Sequence, residues 1–274
     1  MKWRKSLCRL LTLFIVVETV VWQIEKIDVF ASDKEMMPPL IQSTTLEGDY
    51  KAAASLGLAV TRSSKEEDTQ KAFENVLCSC VRIQVNGHYG SGSIYKMLEN
   101  EVIIVTNRHV LQYWNDDSYV TFFNGRVSDG NLLGTSKEAD LGFISIPTDN
   151  FTYDELLAFR NIRMIRETES GDYEKETFGE GRRIFMVDMA SKWNVPVMKE
   201  GEVISLSVYL EDFQTQMLYA KGNAVPGMSG SGVFDGYGNY LGMLTGGTDQ
   251  GEIAAVPAGT IYGEYMRIYK NQLI

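Results

Sequence analysis

The sequence predicts an all-β protein, a barrel or sandwich of short antiparallel strands with a helix at its C-terminal end. Three observations carry that expectation. Runs of β-branched and aromatic residues recur about every ten residues, and Asn-Gly, Asp-Gly and Gly-Asn pairs punctuate them. Glycine, at 25, far outnumbers proline, at 6. With 274 residues, 44% of them hydrophobic, the chain can fill the core of one domain of roughly 200 residues and carry a modest extension.

Taken in order, residues 1–31 read as an export signal. Lys2, Arg4, Lys5 and Arg9 precede an apolar stretch over 10–22 that Glu18 interrupts, and Val29-Phe30-Ala31 supplies small residues for cleavage. The apolar stretch falls short of the ~20 residues of a comfortable membrane span. Left uncleaved it would still be an anchor, so the domain is expected to be secreted, or extracytoplasmic and held at the membrane through residues 10–22. Residues 32–77 form an N-terminal extension or propeptide, polar over 32–66 with Pro38-Pro39, then patterned for a short helix over 67–77. From 78 to 274 the texture is that of a single domain. Strands are expected at 81–85, 92–96, 102–106, 119–123, 141–146, 183–189, 202–209, 217–221, 232–234, 240–244 and 253–256. The acidic connection over 149–180 holds a helix at 153–159, and 259–269 is patterned as an amphipathic helix.

Charge and cysteine content exclude several functions. Removing 1–31 takes away five Lys/Arg and three Asp/Glu, moving the formal charge from −10 to −12. Phosphates would repel such a protein, so nucleic acid is not an expected partner. Cys78 and Cys80 would share one face of a strand, where a disulfide is strained, and two small buried thiols are the expectation. Beyond the three cysteines only His88 and His109 could complete a metal site, so neither a metal nor another cofactor is expected.

Three separated motifs carry the chemistry. Thr106-Asn107-Arg108-His109-Val110 follows an apolar run, and Ala139-Asp140-Leu141-Gly142-Phe143-Ile144 begins another. Pro226-Gly227-Met228-Ser229-Gly230-Ser231-Gly232-Val233-Phe234 sets a serine between glycines, where its hydroxyl has no steric cover. Each motif alone is commonplace. Their order is more telling: His109, then Asp140 after 31 residues, then Ser229 after 89 more, is the order of a chymotrypsin-type triad. An α/β-hydrolase needs a histidine after its serine, and none follows His109. His88 lies outside any motif and reads as a surface or turn residue. Asp116 and Asp117 follow His109 too closely to replace Asp140.

Position by position the chain resembles the trypsin-like, chymotrypsin-fold serine peptidases. It is most like the bacterial glutamyl endopeptidase and exfoliative toxin branch, with the Deg-type proteases near by. Besides the three motifs, Gly90-Ser91-Gly92-Ser93, Gly242 and Gly246-Gly247 carry the likeness, which covers residues 78 to about 270. The resemblance implies two six-stranded antiparallel β-barrels with a C-terminal helix, and a protein or peptide substrate. It implies catalysis by His109, Asp140 and Ser229, with an oxyanion hole from the N–H groups of Gly227 and Ser229. Substrate would lie against Ala224, Leu244, Thr245, Gly246 and Gly247, Thr245 beginning the strand that pairs with it and the two glycines leaving the groove open.

The departures bear on specificity. Met228 stands where an activating aspartate would receive a freed N-terminus. Leu244 and Ala224 replace the histidine and hydroxyl residue that hold a glutamate side chain, and Asn223 argues against Lys or Arg. Small or medium apolar P1 residues remain. The competing reading is a catalytically silent peptidase fold that serves as a binding or adhesion protein.

Overall fold

The first hairpin turns at Asn86 and Gly87, whose φ values of 47° and 77° are the positive pair a type I′ turn requires. It joins β1 (Cys80–Val85) to β2 (His88–Met97) in register, Val85 facing His88. The hairpin belongs to a computed structural model of the chain that describes residues 67–164, 179–190 and 195–270, all within one compact unit spanning Thr45–Ile274. The expectations for 1–31, 32–66 and 165–178 lie outside the described residues.

The first half continues with β3 (Glu101–Thr106), β4 (Tyr119–Phe122), β5 (Val127–Ser128), β6 (Asn131–Thr135) and β7 (Gly142–Pro147). These strands form one seven-stranded antiparallel sheet in the order β5-β4-β1-β2-β3-β7-β6. Although β5 and β6 occupy opposite edges, only Asp129 and Gly130 separate them. From Ser128 to Asn131 the chain reaches at most about 11 Å, so the edges must meet and the sheet curls on itself. The chain, not a hydrogen-bond ladder, completes the circuit. Counted as one bent strand, β5 and β6 restore the expected six.

The second half comprises β8 (Arg183–Asp188), β9 (Val197–Leu210), β10 (Thr215–Gly222), β11 (Gly232–Asp235), β12 (Tyr240–Gly247) and β13 (Glu252–Pro257). These close into a six-stranded barrel, β10-β13-β12-β11-β8-β9. The whole is the chymotrypsin-like, mostly β arrangement that the sequence predicts.

Apolar side chains fill each half, Ile83, Ile94, Ile104 and Phe122 in the sheet and Met186, Leu218, Val233 and Leu244 in the barrel. A third cluster lies between them and draws from both, with Ile103, Val105 and Phe143 meeting Phe185, Phe234 and Tyr240. Helix α1 (Thr69–Val76) joins this shared core through Ala72 and Val76. Its N-cap Asp68 accepts from the Lys71 amide at 3.0 Å, and the Asp68 amide donates to Gly236 O at 3.0 Å. Phe73 stands edge-on to Phe185 at 6.2 Å. Although α1 precedes the expected boundary at Cys78, it therefore packs as part of the folded body. Helix α2 (Tyr153–Ala158) opens with a Thr152–Glu155 capping box. At the far end α3 (Ala258–Lys270) inserts Ile261, Tyr265 and Ile268 into the shared core, with Tyr265 at 5.4 Å from Phe143.

Two details differ from expectation. Cys78 sits in a 3-10 turn, Leu77–Ser79, while Cys80 begins β1, so the two do not share a strand; both are buried thiols that form no disulfide among the described residues, as expected. The edge strands β5 and β6 both went unpredicted, β5 because it is two residues long and β6 because its residues are exposed or half-buried and show no alternating apolar face.

Candidate active site

The imidazole and its acid both come from the sheet. Strand β3 ends at Thr106, buried like Asn107, and the chain then turns so that His109 emerges at the surface. Asp140 is delivered by the loop after β6, where Ser136 Oγ accepts from the amides of Glu138 and Ala139, both at 3.0 Å. Buried Leu141 anchors the end of that loop. The carboxylate takes two bonds from one residue: Oδ1 from the His109 amide at 3.0 Å and Oδ2 from His109 Nδ1 at 2.6 Å. Burial would raise the Asp140 pKa, but the hydrogen bonds and charge of His109, with the Arg108 guanidinium behind it, hold it below the ordinary carboxylate value. Asn107 Nδ2 reaches the main-chain oxygen of Asp140 at 2.9 Å and Thr245 Oγ1 of β12 at 3.1 Å. It thereby ties the acid to the barrel.

Ser229 comes from the barrel, between β10 and β11. The Met228 amide bonds to Val225 O at 3.1 Å, with Pro226 and then Gly227 at the corners. Gly227 has φ +95°, so the turn is of type II. A second turn follows at once, the Ser231 amide bonding to Met228 O at 2.9 Å, with Gly230 at φ +89°. Met228 is fully buried in the barrel, which pins the loop beneath Ser229. A Cβ on Gly230 would lie 2.0 Å from Ser91 O and 2.4 Å from Thr106 Oγ1; only glycine fits there. Ser91, on β2, donates its amide to Ser229 O at 2.8 Å. A Cβ on Gly90 would stand 2.7 Å from Val110 and 3.4 Å from Ser229 O, so the residue after His109 and the serine flank the same glycine. No hydrogen bond joins Ser229 Oγ to His109 among the described residues; such bonds commonly tighten only with substrate in place.

The remaining expected residues fall around this point. Thr245, Gly246 and Gly247 end β12, with a register shift between Leu244 and Gly246. Leu244 is buried inside the barrel and Ala224 is half-buried. The space beside the two glycines is occupied rather than open. Phe213 Cζ lies 3.2 Å from the position of a Cβ on Gly246, and Ala224 Cβ lies 2.8 Å from that on Gly247. Phe213, at the β9–β10 turn, also lines a cavity of about 450 Å³ with His109, Lys137, Asp140, Asp212 and Met217. Nothing in the sequence singled Phe213 out except an aromatic residue in a polar turn. Ser91 and Asn107 lay within motifs, but their side-chain contacts were not legible. His88 is exposed at the first hairpin, and Asp116 and Asp117 lie in an exposed turn; among the described residues no hydrogen bond or ion pair joins any of them to His109.

Comparisons with known proteins agree with this architecture. The trypsin-like peptidase domain family matches residues 78–243. No curated protein matches the chain. Among solved structures, the inactive form of a serine-to-alanine mutant of Rv3671c from M. tuberculosis H37Rv is 12% identical, covering 78% of this chain and 97% of that one at TM-score 0.58. A structure of the Rv3671c protease in its inactive form is 14% identical over 76% and 98% of the two chains, at TM-score 0.57. Deg5 is 19% identical over 72% and 92%, at TM-score 0.55. At these identities the structures speak for the fold, and the family match spans more than half the chain. The chain belongs to the trypsin-like peptidase domain family and is a serine endopeptidase.

Proposed function

We propose that this peptidase is exported and cleaves peptide bonds through Ser229, His109 and Asp140 by way of an acyl-enzyme. The observation that supports it best is the double hydrogen bond between Asp140 and His109. With its Nδ1 proton committed to Asp140, the neutral imidazole offers the Nε2 lone pair as a base. Ser229 Oγ attacks the scissile carbonyl carbon while its proton passes to His109 Nε2. The imidazolium, stabilised by Asp140, returns that proton to the leaving amine as the C–N bond breaks. Water then attacks the ester with the same base, releasing the acid and restoring Ser229. The amides of Gly227 and Ser229 receive the oxyanion, each donor being worth roughly 3–4 kcal/mol in the transition state. The type II turn at Pro226-Gly227 favours this assignment, because a type I turn would turn the Gly227 N–H to the opposite side.

Thr245 begins the edge that pairs with substrate backbone. Ala224 and Leu244 favour small or medium apolar P1 residues; an acidic P1 side chain would be desolvated there without a partner. A fluorophosphonate probe tests the mechanism. It should label the wild-type chain and not Ser229→Ala, and casein should be cleaved by the former alone. Absence of Ser229-dependent labelling would favour the silent binding protein.

A further inference from the structure

The two halves of the proposed catalytic machinery come from different bodies: His109 and Asp140 from the curled sheet, Ser229 and the Gly227 turn from the barrel. Something must set the distance between them. Ser91 of β2 is fully buried and spends every polar group on that boundary or its own support. Its amide donates to Ser229 O at 2.8 Å, and its hydroxyl donates to Gly227 O at 3.0 Å. Its carbonyl accepts from Thr106 Oγ1 at 2.7 Å, three residues before His109. One residue thus grips the carbonyls of both residues whose amides face the oxyanion, and is itself held by the strand that leads to the base.

We propose that Ser91 is a positioning residue for the acyl-transfer step, its hydroxyl fixing the Gly227 turn relative to His109. The inference rests on the triad reading given above. The β1–β2 ladder, in which Ser91 faces Arg82, makes the sheet side of the contact rigid. On the barrel side, buried Met228 holds the base of the loop, while the Gly227 carbonyl at its crest accepts from the Ser91 hydroxyl. Without that hydroxyl the turn loses the contact that registers it against the sheet, and the Gly227 amide drifts from where the oxyanion forms. Binding of substrate backbone along β12 does not pass through this contact. The loss should therefore appear in the transition state and not in the ground state.

Ser91→Ala is the perturbation, and Ser93→Ala is its control. Ser93 lies two residues along the same strand and is equally buried, but its hydroxyl is set beside that of Tyr240 and not against the Gly227 turn. Ser91→Ala should lower kcat about tenfold at unchanged KM, the size of one displaced hydrogen bond. It should weaken a tetrahedral peptide boronate by the same factor and leave a non-covalent product peptide bound as in wild type. Ser93→Ala should change none of the three by more than about twofold. If Ser91→Ala does not accumulate folded, Ser91→Cys, nearer in volume and a weak donor, should show the same split. Wild-type kcat and boronate affinity in the Ser91 variant would overturn the inference, as would equal losses in both variants. If the wild-type chain itself fails to label with fluorophosphonate, the triad reading falls and this inference with it; wild-type labelling with an unaffected Ser91 variant removes the inference alone.

Discussion

Asp140→Asn changes one atom and tests the centre of the mechanism. Both carboxylate oxygens accept in the wild-type chain, from the His109 amide and from His109 Nδ1. An asparagine has one acceptor oxygen and one donor NH2. The backbone amide cannot change its role, so the oxygen stays with it and the NH2 faces Nδ1. The imidazole must then carry its proton on Nε2, and the lone pair that the proposed mechanism needs to take the Ser229 proton is lost. The same exchange removes the charge that stabilises the imidazolium. Disruption of this kind costs a factor of about 10⁴ in kcat, some 5 kcal/mol of transition-state stabilisation. The assay is kcat/KM on a peptide substrate together with the rate of fluorophosphonate labelling. Asp140→Asn retaining activity within tenfold of wild type would refute the assignment of the acid. A second readout concerns stability. Because the folded pKa of Asp140 is depressed, its contribution to stability is fully present above the unfolded value near 3.9 and is lost as pH falls through the folded one. The wild-type chain should therefore lose stability more steeply than Asp140→Asn below about pH 4.

The other predictions concern the loop and the thiols. Gly230→Ala places a methyl 2.0 Å from Ser91 O and 2.4 Å from Thr106 Oγ1 at φ +89°. With about 1–2 kcal/mol of backbone strain added to that overlap, it should lower Tm by about 6–12 °C and abolish cleavage; a Tm within about 2 °C of wild type would contradict the packing described. Cys78 and Cys80 are buried thiols outside any disulfide among the described residues, and burial together with the neighbouring Cys78 raises the Cys80 thiol far above its ordinary pKa. A thiol reagent at pH 8 should leave both unmodified in the native protein and react with both once it is unfolded. Rapid native modification of Cys80 would show that β1 opens readily.

The strands were legible where one face is buried and the other is not, or where the whole run is apolar. β3 carries a continuous apolar run, Val102–Val105, and β7 an apolar run broken only at Ser145, and the Asn86-Gly87 turn between β1 and β2 declares itself chemically. β5 and β6 were not legible because they form a bent edge whose pairing depends on partners far along the chain, and an edge strand needs no apolar face. The same distinction holds at the site. His109, Asp140 and Ser229 stood out because chemistry restricts the residue types and chain order restricts their arrangement. Phe213 did not, since its role beside Gly246 exists only once the β9–β10 turn folds back over β12. Ser91 was visible as part of a glycine-rich motif, yet the direction of its hydroxyl is a property of two bodies meeting and of neither alone.

Helix α1 bears on how the chain could be matured. Ala72 and Val76 fill the core shared by sheet and barrel, and Glu67 forms an ion pair with Arg182 at 3.6 Å. Should residues 32–66 be removed as a propeptide, packing favours a cut that leaves Asp68 and helix α1 attached to the folded domain. A cut at 77 would remove the buried side chains of Ala72 and Val76 along with the Asp68 contact to Gly236, leaving an apolar scar on the shared core. The permissible scissile bonds are thus bounded by packing, and N-terminal sequencing of the mature protein would read that boundary directly.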